Sequence, residues 1–155
     1  MCIRILQSKS LAVLAVFALS LTALAGDKNP VTRPVKVNAD VVFIVNLDPT
    51  ALGEAVGLGN GEGSHVGRFA VHAAGSFDFE TSEFVGEGIL TAANGDLLYF
   101  KMRRLGGVQF TGGTGRFANA TGGYMLTPTT PAEQRVVDGQ LIVMFSYTGQ
   151  GTITY

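Results

Sequence analysis

Cysteine and tryptophan are the rarest residues in this chain of 155 residues, which has one cysteine and no tryptophan. The single cysteine, Cys2, excludes a scaffold built on disulfides, and its position ahead of an apolar run excludes a lipoprotein attachment site. A chain without tryptophan or evident aromatic girdles is also a poor match for an outer-membrane barrel. Charged residues make up only 15% of the chain, which excludes an acidic disordered protein.

The chain also lacks an excess of basic residues. Eleven Lys and Arg stand against twelve Asp and Glu, which gives a formal net charge of −1. A dedicated nucleic-acid-binding protein normally carries a basic patch, and the pair Arg103-Arg104 is too little charge to serve as one. We therefore expect no nucleic-acid partner.

Residues 1–25 have the pattern of a secretory signal peptide. Arg4 and Lys9 supply a short positive region, and residues 10–24 follow as an almost unbroken apolar run. This run is shorter than the about 20 residues that a membrane-spanning helix needs. The triplet Ala-Leu-Ala at 23–25 offers small residues where a signal peptidase cleaves. The pattern predicts cleavage after residue 25, and an uncleaved membrane anchor is the alternative.

Cleavage after Ala25 would release a secreted or periplasmic protein that touches a membrane only before cleavage. The mature chain would have no cysteine, and it would carry nine basic residues against twelve acidic ones. Without disulfides, its hydrophobic core must suffice for stability, which 130 residues can supply. Residues 26–34 contain Gly26 and two prolines and are predicted to be a linker, so residues 35–155 form the single folded domain.

Glycine is abundant in that domain, with 21 in the whole chain, and strand patterns dominate it. Residues 33–46 alternate, because six apolar side chains fall on one face. These are Val35, Val37, Ala39, Val41, Phe43 and Val45. Further strands are predicted at 64–74, 77–81, 84–93, 96–105, 108–111, 122–127 and 140–155.

The segments between these strands are predicted to be turns and loops. Asn94-Gly95 predicts a hairpin with a type I′ turn. Residues 47–63 are predicted to be a long loop with one helical turn over 50–56, and residues 128–139 a second loop. A short helical turn is predicted over 116–121.

Seven or eight strands without a long helix predict an antiparallel barrel or sandwich. We favour an all-β fold with a small closed antiparallel β-barrel of about eight strands, because closure removes exposed edges and glycines within strands permit sharp bends. Val42 and Ile44, like Ile142 and Met144, place apolar side chains on the face opposite the predicted core. An apolar outer face needs to be covered from solvent. Because association of subunits would cover it, we expect a homo-oligomer.

Four segments together resemble the allene oxide cyclase barrel-like proteins exported by bacteria. They are GSHVGRF at 63–69, LTAANGD at 90–96, TGGTGRFANATG at 111–122 and GTITY at 151–155. The third also resembles plant dirigent proteins, and the similarity covers residues 36–155. The resemblance implies an eight-stranded barrel, often trimeric, with a cavity open at one end. In the plant relatives this cavity steers the cyclisation or coupling of a reactive small molecule.

Three side chains are candidates for catalysis. His65 shares a predicted strand face with Phe69 and could act as an acid or base in a cavity, although a hydrogen-bonded structural histidine is commoner. Glu87 could have a raised pKa if buried, and a solvated carboxylate is the plainer interpretation. Tyr99 could join a polar lining or lie on a wet outer face. Apolar and aromatic candidates for a ligand cavity complete the set: Phe43, His65, Phe69, Tyr99, Phe145 and Tyr147.

No cofactor or metal site is expected. The segment 112–116 lacks the Lys-Ser/Thr ending and the following helix of a phosphate loop. His65 and His72 are seven residues apart and point to opposite faces of a regular strand, and no cluster has metal-ligand spacing.

Three functions therefore remain open. The first is a binding protein that holds a small apolar ligand in the barrel. The second is an enzyme of the cyclase or dirigent kind. The third is a structural or assembly barrel filled by its own side chains. The content of the cavity separates them, because an open apolar cavity without an acid or base favours binding.

Overall fold

The computed structural model describes residues 29–155, except for the side chain of Leu105. Nine β-strands and two short 3₁₀ turns, Arg104–Gly106 and Gly115–Phe117, account for the secondary structure of this part of the chain. The strands are β1 Thr32–Asn46, β2 Glu54–Gly63, β3 Gly67–Asp78, β4 Glu83–Ala92, β5 Leu97–Arg103, β6 Gly107–Gly113, β7 Thr121–Pro128, β8 Glu133–Val137 and β9 Gln140–Thr154. In residues 29–155 no helix is long and apolar enough to cross a membrane.

Eight of these strands form a closed antiparallel barrel, which confirms the predicted fold class. The strand order is β1-β2-β3-β4-β5-β6-β7-β9, and β9 pairs back to β1 along its whole length, from Thr32 opposite Thr154 to Asn46 opposite Gln140. Strand β8 is an addition that pairs with the first five residues of β9. Closure leaves the eight barrel strands with neighbours on both sides.

The core is the inner face of the barrel. The six apolar residues of β1 that alternate in sequence are all buried, with Val45 fully so. The period-two pattern therefore gives the inward face of β1 correctly. On β9 the inward set again follows every second residue, and Val143, Tyr147 and Ile153 are buried.

The loop predicted over residues 47–63 is wrong for most of its length, because β2 occupies Glu54–Gly63. Its glycines are inward-facing strand residues that leave room for aromatic rings. A Cβ built on Gly57 would lie 2.6 Å from the Phe43 ring, and one on Gly61 would lie 2.7 Å from the Phe69 ring. Small residues opposite large ones fill a narrow barrel. Because most inward positions of β2 are glycines, its sequence lacks the alternation of apolar side chains that indicates a strand.

Three further boundaries differ from the predictions. Strand β3 begins at Gly67 and runs to Asp78, so it spans two predicted strands and leaves residues 64–66 as a turn. The Asn94-Gly95 hairpin exists, but its loop has three residues, since the Ala92 amide donates to the Asp96 carbonyl at 2.9 Å. The two-residue turn with positive φ at both positions lies instead at Asp138 (48°) and Gly139 (76°). That turn joins β8 to β9 inside a predicted loop.

The two ends of the barrel differ. At one end, here called the closed end, the turn 64–66 and the segment 114–120 cover the interior, and Val66 and Phe117 are almost completely buried there. At the other end, here called the mouth, the connections are residues 47–53, 79–82, 104–106 and the stretch 129–139 that carries β8. A site that opens to solvent is expected at the mouth.

Candidate functional site at the barrel mouth

The mouth holds a cavity of about 370 Å³, here called the mouth pocket. Four phenylalanines supply much of its wall: Phe43 from β1, Phe77 from β3, Phe84 from β4 and Phe145 from β9. The other lining residues are Ser82, Glu83, Met102, Gly106, Leu126, Pro128, Thr130, Pro131, Ala132, Gln134 and Val143. This size suits a small molecule, and the mixture of an apolar wall with a few polar groups is typical of ligand sites.

The segment 128–134 forms one side of the mouth pocket. Two hydrogen bonds hold it to β9: the Thr129 amide donates to the Ser146 carbonyl at 2.9 Å, and the Ser146 amide donates to the side-chain Oγ1 of Thr130 at 3.0 Å. Pro131 follows in the part that bulges away from β9 before β8 resumes pairing at Glu133. The residues of this bulge line the mouth pocket on that side.

An aromatic column runs from the mouth pocket into the barrel. The Phe43 ring packs at 4.6 Å from Phe84 and 6.0 Å from Phe145 between centroids. Phe145 lies 6.3 Å from Tyr147, and Tyr147 is stacked at 6.4 Å on Tyr124. These spacings are those of favourable aromatic pairs. Aromatic rings therefore continue from the wall of the mouth pocket to Tyr147 and Tyr124, which lie beneath it and form its floor.

Below the floor the barrel is filled. A void of only about 20 Å³ lies there, next to Val71, Phe100 and Tyr147. Glycines accommodate the rings here as on β2, since the three nearest neighbours of a Cβ built on Gly149 are all atoms of the Tyr124 ring. A ligand can therefore occupy the mouth but not the full length of the barrel.

Tyr124 and Tyr147 place a polar pair among these apolar side chains. Their hydroxyl groups lie 3.1 Å apart and form a buried hydrogen bond. Burial raises the pKa of the Tyr124 phenol well above 10 and also raises the pKa of Tyr147. Both phenols are thus protonated near neutral pH, and their chemistry there is that of hydrogen-bond donors and acceptors, not of bases.

The glycine-rich segment 111–122 belongs to the closed end. The Arg116 guanidinium donates to the Val66 carbonyl at 3.1 Å, lies 3.6 Å from the Asp96 carboxylate and sits 4.7 Å from the centroid of the Phe117 ring. Phe117 inserts into the core beneath it. The contacts of this segment are structural, and they lie at the opposite end from the mouth pocket.

The predicted cavity residues separate into three groups. Phe43 and Phe145 line the mouth pocket, and Tyr147 lies directly beneath it. Phe69 faces the interior toward the closed end, where its ring lies over Gly61. Tyr99 points outward from β5 and is 36% exposed, so it does not line the interior.

His65 and Glu87 are also outside the mouth pocket. His65 lies in the β2–β3 turn with a φ of 69°, not on the predicted strand face, and its ring is 6.5 Å from that of Tyr155 at the closed end. Glu87 is exposed on the outer face of β4, opposite Lys101 of β5. None of the three catalytic candidates therefore contacts this cavity.

Sequence reasoning missed several pocket residues, among them Phe77, Phe84, Leu126 and the segment 128–134. Phe84 lies on the same face of β4 as Gly86 and Gly88, so the small glycines obscured which face of the strand is inward. The apolar alternation of Tyr124 and Leu126 on β7 could have identified that strand's inner face.

A second concavity, of about 840 Å³, is an open groove on the outer face. Its floor includes Val42, Leu58 and Met144, and the bulge at Pro131 forms a wall. Because it is a surface groove, it encloses a small molecule far less than the mouth pocket does.

No family model matches the chain, and no curated protein or solved structure matches it either. Within residues 29–155 no three His, Cys, Asp or Glu side chains come together as a metal site would require. The geometry of the mouth pocket is therefore the basis for assigning a function.

Proposed function

We propose that this protein binds a small, largely apolar molecule in the mouth pocket. The observation that carries the proposal is the combination of an apolar, phenylalanine-walled cavity of about 370 Å³ with a barrel that is otherwise filled. Burial of apolar ligand surface contributes roughly 25 cal/mol per Å² before the costs of association. A pocket already shaped by packed rings lowers those costs, because its walls need little ordering when the ligand enters.

Two competing functions gain less support from the structure. An enzyme of the cyclase or dirigent kind would need catalytic acids or bases near the ligand, and the candidates His65, Glu87 and Tyr99 all lie elsewhere. Among the residues that line the mouth pocket, Glu83 alone has an acidic or basic side chain. A purely structural barrel would be filled by its own side chains, which holds below the aromatic floor but not at the mouth.

We further propose that the chain belongs to the allene oxide cyclase barrel-like family and that the protein is exported. A closed eight-stranded barrel with one covered and one open end is what the allene oxide cyclase barrel-like family leads one to expect, and this agreement supports membership. Export rests on the signal-peptide pattern of residues 1–25, which lie outside the described residues. Expression in a bacterial host with a secretion pathway tests it, since the exported protein should begin at Gly26.

We also propose that copies of the chain associate through an apolar outer face. On this face Val42 of β1 lies opposite Leu58 of β2 and Met144 of β9, and Ile44 lies between Val56 and Ile142 in the next row. Leu58 is 43% exposed and Val56 is 39% exposed. The resemblance implies a trimer, and light scattering on a size-exclusion column would reveal a mass of one chain instead if the proposal is wrong.

Binding is tested by titration with N-phenyl-1-naphthylamine, a neutral apolar dye that fluoresces in apolar sites. We expect saturable binding to the wild type and a loss of at least tenfold in affinity for Leu126→Trp, which places a larger side chain in the mouth pocket. The matched control is Met125→Trp, which should bind like the wild type, because Met125 is the neighbour of Leu126 on β7 and is 54% exposed on the outer face. Equal binding by both folded variants would refute the mouth pocket as the site.

A further inference from the structure

The charges of the barrel are divided unequally between its ends. Seven carboxylates and three guanidinium groups lie at or around the mouth. They are Asp48, Glu54, Asp78, Glu80, Glu83, Glu133 and Asp138, against Arg103, Arg104 and Arg135. Toward the closed end the balance reverses, with Arg33, Lys36, Arg68 and Arg116 against Glu62 and Asp96. The mouth therefore has a formal net charge of −4, from seven carboxylates and three guanidinium groups, and the electrostatic potential around it is negative.

Hydrogen bonds favour the charged form of two carboxylates at the mouth, Asp48 and Asp78. Hydrogen bonds from the Thr50 hydroxyl and amide lower the pKa of Asp48. The amides of Thr81 and Glu80 lower the pKa of Asp78 in the same way. Arg104 lies 3.6 Å from Asp78 and offsets one negative charge, which is already counted in the balance above.

The walls of the mouth pocket favour positive charge for an independent reason. The face of a phenylalanine ring carries a partial negative charge, and cations are attracted to it when the site excludes water. Phe43, Phe77, Phe84 and Phe145 all line the cavity, so a ligand in it contacts several aromatic rings. Clustered aromatic rings are a known means of recognising quaternary ammonium groups.

We infer that the ligand of the mouth pocket is an organic cation, with an apolar body and an alkylated or protonated amine. The inference rests on the proposed function, because it assigns a chemical class to the same site. The aromatic and apolar side chains of the pocket hold the body of the ligand. The seven carboxylates listed above, here called the acidic rim, attract the charge of the ligand and raise the rate of encounter. The same rim repels carboxylate or sulfonate ligands of equal size.

Three ligands of nearly equal shape separate charge from apolar contact. They are benzyltrimethylammonium, its neutral isostere neopentylbenzene and the anion phenylmethanesulfonate, each measured by displacement of the neutral dye at low ionic strength. We expect the cation to bind at least tenfold more tightly than the neutral isostere, and the anion to bind most weakly. The advantage of the cation should shrink as salt rises beyond about 0.15 M, because exposed charges are then screened.

Two variants test the origin of the preference. Glu80→Gln combined with Asp138→Asn should weaken cation binding about threefold, as expected for exposed charges, and should leave the neutral ligand unchanged. Glu62→Gln, which removes a carboxylate near the closed end, is the control and should leave both affinities as in the wild type. Phe77→Leu keeps an apolar wall but removes a ring, and should weaken the cation more than the neutral isostere.

The outcomes are distinguishable. Equal or tighter binding of the neutral isostere would overturn the cation inference while leaving the apolar pocket intact. Absence of binding by all three ligands and by the dye, in folded protein, would overturn the proposed function itself.

Discussion

The hydroxyl groups of Tyr124 and Tyr147 lie 3.1 Å apart beneath the mouth pocket and form a buried hydrogen bond. Replacement of Tyr147 by Phe removes one partner and leaves the Tyr124 hydroxyl buried without it. Loss of such a partner costs about 1–3 kcal/mol. We expect Tyr147→Phe to lower the free energy of unfolding by that amount in urea denaturation.

The double variant Tyr124→Phe with Tyr147→Phe is the control for this interpretation. It removes both hydroxyls, so no buried polar group is left unsatisfied. Its loss of unfolding free energy should therefore be smaller than the sum of the losses in the two single variants. Strictly additive losses in the double-mutant cycle would show that the two hydroxyls do not interact.

The same pair predicts an alkaline loss of stability. Burial raises the pKa of both phenols above the ordinary value of 10, so the folded state keeps protons that the unfolded state releases. The contribution of the two phenols to the free energy of unfolding is complete below pH 10. It declines as the pH rises from there toward the raised pKa values of the folded state. The slope is about 1.4 kcal/mol per pH unit for each phenol.

Urea denaturation between pH 9 and 11 measures this slope in the wild type and in the double phenylalanine variant. The double variant should lose less stability over this range, by an amount set by two phenols. Identical slopes in the two proteins would contradict the raised pKa values.

Gly57 and Phe43 predict a compensating pair of substitutions. A Cβ on Gly57 would meet Phe43 ring carbons at 2.6, 3.1 and 3.3 Å, so Gly57→Ala should destabilise the protein by about 1–3 kcal/mol through overpacking. Phe43→Leu removes the obstructing ring. Gly57→Ala should therefore cost less in the Phe43→Leu background than in the wild type, as thermal unfolding of the four proteins can show.

Arg116 is expected to hold the closed end together. Its guanidinium donates to the Val66 carbonyl and lies beside Asp96 and Phe117. Arg116→Ala should lower stability by about 1 kcal/mol, a discounted value because the side chain is 43% exposed. Hydrogen exchange should quicken around residues 64–66 and 114–120.

Arg135→Ala is the matched control, since Arg135 is exposed on β8. It should change neither the stability nor the exchange rates at the closed end. Equal effects of the two substitutions would argue against a specific role for Arg116.

The barrel could be predicted from the sequence because strand alternation is a local signal. The inward face of β1 follows from its spacing of apolar residues, and it is correct at all six positions. Strand β2 could not be recognised in this way, because its inward positions after Ala55 are glycines whose role appears only beside Phe43 and Phe69 on neighbouring strands.

Fewer residues of the candidate site than of the fold could be predicted from the sequence, for a related reason. Phe43 and Phe145 belong to strands with clear alternation, and both line the mouth pocket. The bulge at Pro131 and the rim charges come together only through the closure of the barrel. His65 differs because a φ of 69° in a turn replaces the predicted strand geometry.

Energy transfer from a single introduced tryptophan to bound N-phenyl-1-naphthylamine tests the location of the site most directly, because the chain has no tryptophan of its own. Phe79 is 43% exposed in the mouth connection 79–82 and lies beside Phe77 without lining the pocket, whereas Ala118 is exposed at the closed end, so Phe79→Trp and Ala118→Trp are the pair to compare. Binding at the mouth predicts strong quenching of the tryptophan at 79 and much weaker quenching at 118. Equal quenching at both positions, or stronger quenching at 118, would contradict a ligand site at the mouth.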